Sequence, residues 1–400
     1  MTNTPSNPFP PGALQGVRIL DLSRVLAGPS ATQLLGDLGA DVVKVERPGM
    51  GDDTRKWGPP YVHDNDGRPT AESAYYLSAN RNKRSIALDL TDPAGKAVLM
   101  RLIARADILV ENFKVGDLAR RGLGYADLKA DHPGLIYCSI TGFGQTGPYA
   151  GRAGYDYLIQ GMGGIMSLTG EPAGMPMKVG VAIADLMAGM YSTVAILAAL
   201  DHRRRTGEGQ HLDISLLDCQ VAWLSNAAQY YLTSGEVTPR LGNAHPNIVP
   251  YQVFETLDGH LILAVGNDGQ FAKFAGAAGH PEWIDRPGFA TNPERVGNRA
   301  EVVAAIAEVM RSRPRDWWLR ELEAAGVPCG PINTIDQVFD DPHVQARGMR
   351  IAMDHKASGR PVDLIGSPIK MSATPPAYRH APPACGENGN AVLADWLGGD

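Results

Sequence analysis

The chain is poor in the residues that mark several large classes of protein. Its 400 residues include only four cysteines, and none of them stands at CxxC spacing with another. We therefore expect neither a disulfide framework nor a cysteine zinc site, and a reducing cytoplasm is the expected location. The ten histidines show no metal-ligand spacing either, so the sequence predicts no metal. The cysteines are Cys138, Cys219, Cys329 and Cys385.

An excess of basic charge and long apolar runs are also lacking. The formal net charge is -6, which argues against nucleic acid as a partner because phosphate neutralisation needs a basic face. The longest strongly apolar run, residues 194–200, is too short to span a membrane, so no membrane partner is expected. Residues 1–12 have neither the basic segment nor the apolar core of a secretory signal, and we expect a disordered lead-in there.

Short apolar segments of strand length alternate with helical segments in the first half of the chain. The pattern predicts an α/β fold with a parallel sheet covered on both faces. The first loop, SRVLAGPS, lacks the G-x-G-x-x-G turn. We therefore reject a nicotinamide site, although Glu46 ends the second strand where a ribose-binding acid would lie. The predicted strands are 17–22, 41–46, 85–90, 108–111, 135–140 and 210–216, and the predicted helices include 92–106 and 217–232.

The composition suggests more than one lobe, because 400 residues with 44% hydrophobic content exceed what one core usually holds. Residues 13–225 are the predicted large domain. Residues 235–330 are interpreted as a smaller α/β domain, with two strands on either side of the Asp258-Gly259 turn. The helices predicted in this smaller domain are 268–278 and 298–312.

The stretch from residue 147 to residue 218 is the most informative part of the chain. Residues 186–200 hold hardly a polar side chain and predict a helix that is buried on all sides. Asp185 is expected at its N-cap, ionised and held by backbone N–H groups. The simpler interpretation of Asp185 is a helix cap. The dense glycines around it favour a second one, a carboxylate nucleophile beside backbone N–H donors that stabilise an oxyanion.

Six segments occur in an order that is specific in combination. They are LDLSRVLAGPSATQLLGDLGADVVKVERPGMGDDTR, NRNKRSIALDL, ADILVENFKVGDLARRGLGY, SITGFGQTGPYAGRAGYD, the stretch around Asp185, and AAGVPCGPINTIDQVFDDPHV. Together they resemble the family III CoA-transferases, relatives of formyl-CoA transferase and the carnitine CoA-transferases, over nearly the whole chain. The resemblance implies a Rossmann-like large domain with a smaller α/β domain. It also implies that residues 331–400 return to the large domain, and that two ring-like protomers interlock as a homodimer.

The resemblance further implies that Asp185 is a covalent nucleophile in CoA transfer. Its partners would be an acyl-CoA and a small carboxylic acid, with no permanently bound cofactor. Arg47 and Arg120 would pair with the nucleotide phosphates of CoA, for which a planar guanidinium is suited. Taken alone, each would be interpreted as an ordinary surface arginine. The positions that match the family's CoA site are Ala27, Arg47, Leu88, Asp89, Leu90, Asn112, Phe113, Arg120, Gly142, Phe143 and Gly144.

Tyr155 separates two branches of this superfamily. The acyl-CoA racemases carry a histidine base at its position, and a tyrosine cannot replace that base near neutral pH without a large pKa shift. Tyr155 therefore disfavours an α-methylacyl-CoA racemase or epimerase, which is the alternative to a transferase. A third hypothesis is a CoA-binding protein without turnover. The adjacent Asp156 is interpreted as structural, because loop aspartates commonly accept hydrogen bonds from backbone N–H groups.

The loop after residue 241 indicates the branch within the transferases. The string GNAHPNIVPYQVF resembles the succinate–hydroxymethylglutarate CoA-transferases, which implies succinyl-CoA as donor and a dicarboxylate as acceptor. His245 could hydrogen-bond a distal carboxylate, and Arg240 or Arg55 could pair with it. A loop histidine and surface arginines are the alternative interpretations. The basic run at residues 82–84 is interpreted as a solvated turn rather than as the rim of the site.

Overall fold

The computed structural model describes residues 11–398, which divide into two compact units. Most of the predicted lead-in, residues 1–10, lies outside the described residues. The first unit comprises the described parts of Met1–Ile165 and Pro342–Asp400 together with Lys178–Thr233. The second unit comprises Met166–Met177 and Ser234–Asp341, so the predicted small domain lies inside it.

Strands and helices alternate through most of the described chain. The strands are β1 (Arg18–Asp21), β2 (Asp41–Glu46), β3 (Tyr61–His63), β4 (Pro69–Ser73), β5 (Lys83–Ala87), β6 (Ile108–Glu111), β7 (Ile136–Thr141), β8 (His211–Ser215), β9 (Tyr251–Thr256), β10 (Gly259–Ala264), β11 (Cys329–Pro331), β12 (Arg350–His355) and β13 (Arg360–Ile365). The helices are α1 (Ala27–Asp37), α2 (Ala74–Leu77), α3 (Pro93–Ile103), α4 (Tyr125–Leu128), α5 (Asp156–Met162), α6 (Ile165–Leu168), α7 (Ile183–Thr206), α8 (Leu216–Ala222), α9 (Ser225–Ser234), α10 (Asp268–Ala277), α11 (Asn292–Gly297), α12 (Arg299–Met310), α13 (Arg315–Ala324), α14 (Ile335–Asp340), α15 (Pro342–Ala346) and α16 (Gly389–Leu397).

A six-stranded parallel sheet organises the first unit, in the order β5-β2-β1-β6-β7-β8. The central strands are buried on both faces: Ile19 packs into one apolar cluster and Leu20 into another. Counted along the chain within this sheet, the order is 3-2-1-4-5-6. In such a sheet the connections leave β1 and β6 in opposite directions, and a crevice opens at the carboxyl ends of these two strands. The predicted parallel α/β sheet is confirmed.

Helices α1 and α7 cover one face of the sheet and pack against each other. Gly189 of α7 permits their close approach, because a Cβ there would lie 2.3 Å from the Ser30 Oγ and 2.8 Å from the Ala27 carbonyl oxygen. The other face carries α3 and α16, which bury Leu99 and Trp396. The face of α7 that meets α1 therefore has a fixed position relative to the loop after β1.

The prediction that α7 is buried on all sides is wrong. Ala188 and Ile196 are buried, whereas Met190 is 47% exposed and Val194 is 59% exposed. By length and composition alone α7 could cross a membrane, yet within the structure it packs against α1, β7 and β8. The apolar sequence of a helix does not specify which of its faces are covered by other elements of the same chain. In α7 one face is left uncovered.

Two other predicted segments differ from the structure. The predicted helix 217–232 is two helices, α8 and α9, separated by a turn at residues 223–224, and Ser225, the first residue of α9, has a φ of +48°. The second unit contains an antiparallel sheet in the order β11-β10-β9, packed on α10, α12 and α13. The predicted β9–β10 hairpin is present, with its turn one residue earlier than predicted: Leu257 and Asp258 form the turn, and Gly259 begins β10 opposite Thr256.

Candidate active site

Two neighbouring cavities of the first unit lie at the carboxyl ends of the parallel strands. The small cavity, of about 100 Å³, is lined by Arg47, Leu88, Leu90 and Arg121 among others. The large cavity, of about 230 Å³, lies beside the loops after β1, β6 and β7. Arg24, Asp53 and Phe113 line both cavities, so an extended ligand could reach from one to the other. This is the crevice at which doubly wound sheets bind ligands.

Asn112 joins the two loops on either side of the crevice. Its Oδ1 accepts a hydrogen bond from the Arg24 N–H at 2.9 Å, and its Nδ2 donates to the Arg24 carbonyl oxygen at 2.7 Å. Both hydrogen bonds use the backbone of the loop after β1, while Asn112 directly follows β6. The side chain therefore holds the two edges of the crevice at a fixed separation.

Asp185 lines the large cavity at the start of α7. The N-cap is Ala182, so Asp185 is the third helical residue, and the expected side-chain cap by Asp185 is absent from the described contacts. Asp156 provides the cap instead: its Oδ1 accepts from the Ala184 N–H at 2.8 Å and from the Asp185 N–H at 3.4 Å. Its Oδ2 accepts from the Gln160 Nε2 at 2.7 Å. The structural role predicted for Asp156 is confirmed by these contacts.

The carboxyl group of Asp185 is therefore not held ionised in the way expected from its sequence position. Burial and, secondarily, the negative charge of Asp156 raise the pKa of Asp185 to about 7. Near neutral pH the group is divided between its two protonation states, and its ionised form is poorly solvated. A carboxylate in this state can act as a nucleophile near physiological pH.

Tyr155 lies at the mouth of the large cavity as the N-cap residue of α5 and is 68% exposed. The chain just before it is pressed against the turn after β7. A Cβ at Gly142 would lie 2.5 Å from the Cα of Gly154, so neither glycine can be replaced without movement of the backbone. The close approach fixes the cavity wall that carries Arg152 and Tyr155.

The structure brings most of the sequence-predicted CoA positions together. Ala27, Asn112, Phe113 and Gly142 line the large cavity. Arg47, Leu88, Asp89, Leu90 and Phe113 line the small cavity.

Three predicted CoA positions line neither cavity. Phe143 is buried, and Gly144 donates its N–H to the Thr141 Oγ1. Arg120 pairs with Asp117, and its neighbour Arg121 lines the small cavity in its place. Sequence cannot distinguish these consecutive arginines, because the direction each side chain takes depends on the short turn that contains both.

Arg55 does not have the predicted role of a free carboxylate-binding cation. Its guanidinium is buried and pairs with Glu46 at 2.7 Å and with Glu72 at 2.5 Å. It also donates to the Tyr76 hydroxyl and the Pro383 carbonyl oxygen. These partners raise the pKa of Arg55 despite its burial. They also occupy the Glu46 carboxylate, which agrees with the rejection of a ribose-binding acid there.

The basic run at residues 82–84 is not a solvated turn, contrary to the sequence prediction. Lys83 begins β5 and is buried, with its Nζ 3.1 Å from the Asp21 Oδ2. Arg84 pairs with Asp41 and Asp395. Lys83 and Arg84 are therefore part of the edge strand β5, and their acidic partners come from β1, β2 and α16.

Arg240 and His245 lie in the second unit, whereas Asp185 lies in the first. Arg240 donates to the carbonyl oxygens of Glu171 and Gly174. The His245 Nδ1 accepts from the Asn247 N–H at 3.1 Å. Their local contacts are those of loop-stabilising residues, and their role toward substrate stays a prediction.

Sequence analysis did not single out three cations that line the large cavity. They are Arg24, Lys114 and Arg152. Arg152 lies within the segment GRAGYD that carries the family resemblance, so its position offered a signal. The residues that surround its side chain could not be predicted before the fold was known.

The strand order and the carboxylate in the crevice define a doubly wound α/β protein with a ligand site at the point where the strand order reverses. The chain belongs to CoA-transferase family III, whose family model matches residues 14–389. It is 52% identical over 396 residues to the succinate–glutarate CoA-transferase of Agrobacterium fabrum, covering 99% of this chain and 98% of that protein. It is 44% identical over 384 residues to the human succinyl-CoA:glutarate CoA-transferase, covering 96% and 86%.

A solved structure confirms the fold class. The CAIB/BAIF family protein from Brucella suis superimposes with a TM-score of 0.86 at 49% identity, over 97% of this chain and 100% of that one. The predicted family and its α/β fold are confirmed, and the chain is a family III CoA-transferase.

Proposed function

We propose that this enzyme transfers CoA from succinyl-CoA to a five-carbon dicarboxylate such as glutarate. The observation that carries the proposal is the 52% identity, over 99% of this chain, to a succinate–glutarate CoA-transferase. The half-buried Asp185 in the large cavity supports it, because the reaction needs a carboxylate close to the thioester.

We propose a covalent route through Asp185. Its carboxylate oxygen attacks the thioester carbonyl carbon, the C–S bond breaks, and CoA leaves as a thiolate. The thiolate attacks the aspartyl carbonyl of the mixed anhydride, which releases succinate and leaves an aspartyl-CoA thioester. The acceptor carboxylate then displaces CoA to form a second anhydride. Attack of the thiolate on the acceptor's acyl carbon forms the new acyl-CoA and restores Asp185.

The two cavities suggest how CoA is placed along this route. Leu88, Leu90 and Phe113 give the small cavity apolar walls suited to the adenine ring. Arg47 and Arg121 line the same cavity and are suited to the phosphates. The acyl end would then enter the large cavity, where Asp185 lies.

Mass spectrometry after brief incubation with succinyl-CoA and hydroxylamine tests the proposed function. We expect hydroxylamine to trap the activated Asp185 as its hydroxamate, and Asp185→Ala to abolish CoA transfer. Retained transfer in Asp185→Ala would contradict the covalent route. An unmodified Asp185, with succinyl-CoA bound, would refute the proposed donor. Exchange of the α-proton of a branched acyl-CoA without an acceptor acid would favour the racemase alternative.

We further propose that the enzyme is a homodimer, with the uncovered face of α7 in the interface. This face exposes Met190 and Val194, and the nearby α5 exposes Tyr157, Leu158 and Met162. Contiguous exposed apolar side chains of this kind mark association surfaces. Light scattering after size exclusion should give twice the chain mass of 42.7 kDa. Val194→Glu should shift the protein toward the single-chain mass, whereas a monomeric wild type would refute the proposal.

We also propose a cytoplasmic location. The four cysteines are free thiols in the structure, and two of them, Cys138 and Cys219, are buried. Free thiols are compatible with a reducing compartment. Fractionation of the native host's cells, followed by detection of the protein, tests this location, and recovery from an exported or membrane fraction would contradict it.

A further inference from the structure

Arg152 occupies an unusual position on the wall of the large cavity. Its Cζ lies 4.6 Å from the ring centre of Tyr149 and 5.2 Å from that of Phe143. The two rings meet edge to face, with centres 5.6 Å apart. The guanidinium therefore rests on aromatic surface, which attracts a cation through the negative faces of the rings.

Stacking of this kind leaves the edge of the guanidinium available. The N–H groups of a guanidinium lie in its plane, so contact through its face does not consume them. Within residues 11–398, the side chain of Arg152 has neither an ion pair nor a hydrogen bond. By contrast, Arg24 on the same cavity pairs with Asp53 at 3.0 Å.

The backbone that carries Arg152 is held in place on both sides. The Arg152 N–H donates to the Tyr149 carbonyl oxygen at 2.9 Å. Two residues further on, Gly154 is pressed against Gly142. The backbone of Arg152 therefore has a fixed position before any ligand arrives, and the exposed side chain rests on Tyr149 and Phe143.

The charge of the cavity explains what Arg152 could bind. Asp185 and the adjacent Asp156 give the α7 end of the cavity acidic character. A dicarboxylic acyl group brings a second negative charge into the same space, where like charges repel. An unpaired guanidinium on the wall offsets this repulsion and matches the two oxygens of a carboxylate.

We propose that Arg152 binds the distal carboxylate of the succinyl or glutaryl group while Asp185 reacts at the other end. The inference rests on the proposed function, because it presumes a dicarboxylic substrate. It assigns to Arg152 the recognition role that the sequence suggested for Arg240 or Arg55. Arg152 is accordingly a residue that selects dicarboxylic over monocarboxylic acyl groups.

Calorimetric titration can test this role separately from turnover. The protein would carry Asp185→Ala so that ligands bind without reacting. Succinyl-CoA would be compared with butyryl-CoA, which lacks the distal carboxylate. We expect Arg152→Ala to weaken succinyl-CoA binding about 10- to 100-fold and to leave butyryl-CoA binding unchanged. Arg152→Lys should retain part of the preference, because it keeps the charge but loses the two-point contact.

Control variants distinguish a specific role of Arg152 from a general effect on ligand binding. Arg205→Ala removes an exposed arginine paired with Asp201 at the other end of α7, and should change neither affinity. Equal weakening for both ligands would show that Arg152 contacts the CoA portion, and no weakening would remove it from the site. Either result overturns the inference. If Lys114→Ala abolishes the preference while Arg152→Ala does not, the carboxylate binds Lys114 and the inference is equally overturned.

Failure of the proposed function would look different. If wild-type protein gives no Asp185 hydroxamate with succinyl-CoA, the donor or the route is wrong, whatever Arg152 does. If the hydroxamate forms and Arg152→Ala keeps the preference for succinyl-CoA, only the role of Arg152 is wrong. Thermal unfolding curves of Arg152→Ala and Arg152→Gln that match the curve of the wild type would show that the fold is intact. If the alanine variant unfolds, Arg152→Gln provides the binding data.

Discussion

At the scale of single residues, the sequence suggested two roles for Asp185, helix cap and nucleophile, and in the structure Asp156 has the first of them. Asp156 accepts the N–H groups at the start of α7, so its carboxylate is stabilised by hydrogen bonds and by the helix dipole. Asp185 also lies in the first turn of α7, but its pKa is raised by burial and by the nearby negative charge of Asp156. The helix start is thus stabilised by a residue of another helix, and the reactive carboxyl group remains free to attack.

This arrangement predicts how the pH dependence of the reaction changes when Asp156 loses its charge. In the proposed route the ionised form of Asp185 is the nucleophile, so kcat/KM should rise as pH increases through about 7 and level off above it. Asp156→Asn keeps an oxygen for the Ala184 N–H and removes one of the two causes of the raised pKa. Its acidic limb should shift to lower pH, measured as kcat/KM against pH.

Burial is the larger cause of the raised pKa, so the shift should be partial. Asp156→Ala is a useful comparison because it removes both the charge and the cap. It should shift the acidic limb in the same direction and also lower the free energy of unfolding by about 1 kcal/mol. An acidic limb that stays in place in both variants would show that Asp156 does not influence the ionisation of Asp185.

At the scale of secondary-structure elements, the packing of α7 on α1 fixes where Asp185, the proposed nucleophile, lies. Asp185 and Gly189 are four residues apart and therefore share one side of α7. Gly189 contacts the first turn of α1, and Ala27 in that turn lines the large cavity. One helix contact thus sets the separation between the nucleophile and the loop after β1.

Gly189→Ala should therefore impair catalysis although alanine is the better helix former. Alanine gains about 1 kcal/mol in helix propensity, but its Cβ would lie 2.8 Å from the backbone oxygen of Ala27. Such overpacking typically costs about 1–3 kcal/mol. We expect a lower kcat, measured by CoA exchange, together with an unchanged or lower melting temperature.

Gly276→Ala in α10 is the matched control. A Cβ at Gly276 meets no heavy atom within 4 Å, so the same substitution should leave kcat unchanged and slightly raise the melting temperature. If Gly189→Ala behaves like Gly276→Ala in both measurements, the proposed link between helix packing and catalysis is incorrect.

At the scale of the whole molecule, the parallel sheet gathers loops that are far apart in the sequence. The large cavity receives residues from the segments after β1, β6 and β7 and from the start of α7. Buried ion pairs fix the neighbouring loops: Arg55 joins Glu46 and Glu72 and also donates to the carbonyl oxygen of Pro383 in the carboxyl-terminal segment. Loss of one partner of such a buried group would leave an uncompensated charge, so these contacts favour one arrangement of the loops.

The sequence alone determined the features that depend on local pattern. Strand β2 and strand β6 have the predicted bounds, because short apolar runs bordered by polar residues specify buried strands. The order of motifs identified the family and selected Asp185. Most predicted CoA positions reach the two cavities because they lie in the segments that follow the strands of one parallel sheet.

Only the tertiary structure decided which charged side chains are already paired with other groups of the protein. Arg55 and Lys83 resemble free surface cations in the sequence, yet both are buried against acidic partners from other strands and loops. Arg152 resembles them equally, and the fold leaves it stacked on aromatic rings with no ion pair among residues 11–398. The pKa of Asp185 likewise depends on burial and on a charge from α5. Charge pairing and desolvation are set by distances across the fold, which the linear pattern does not contain.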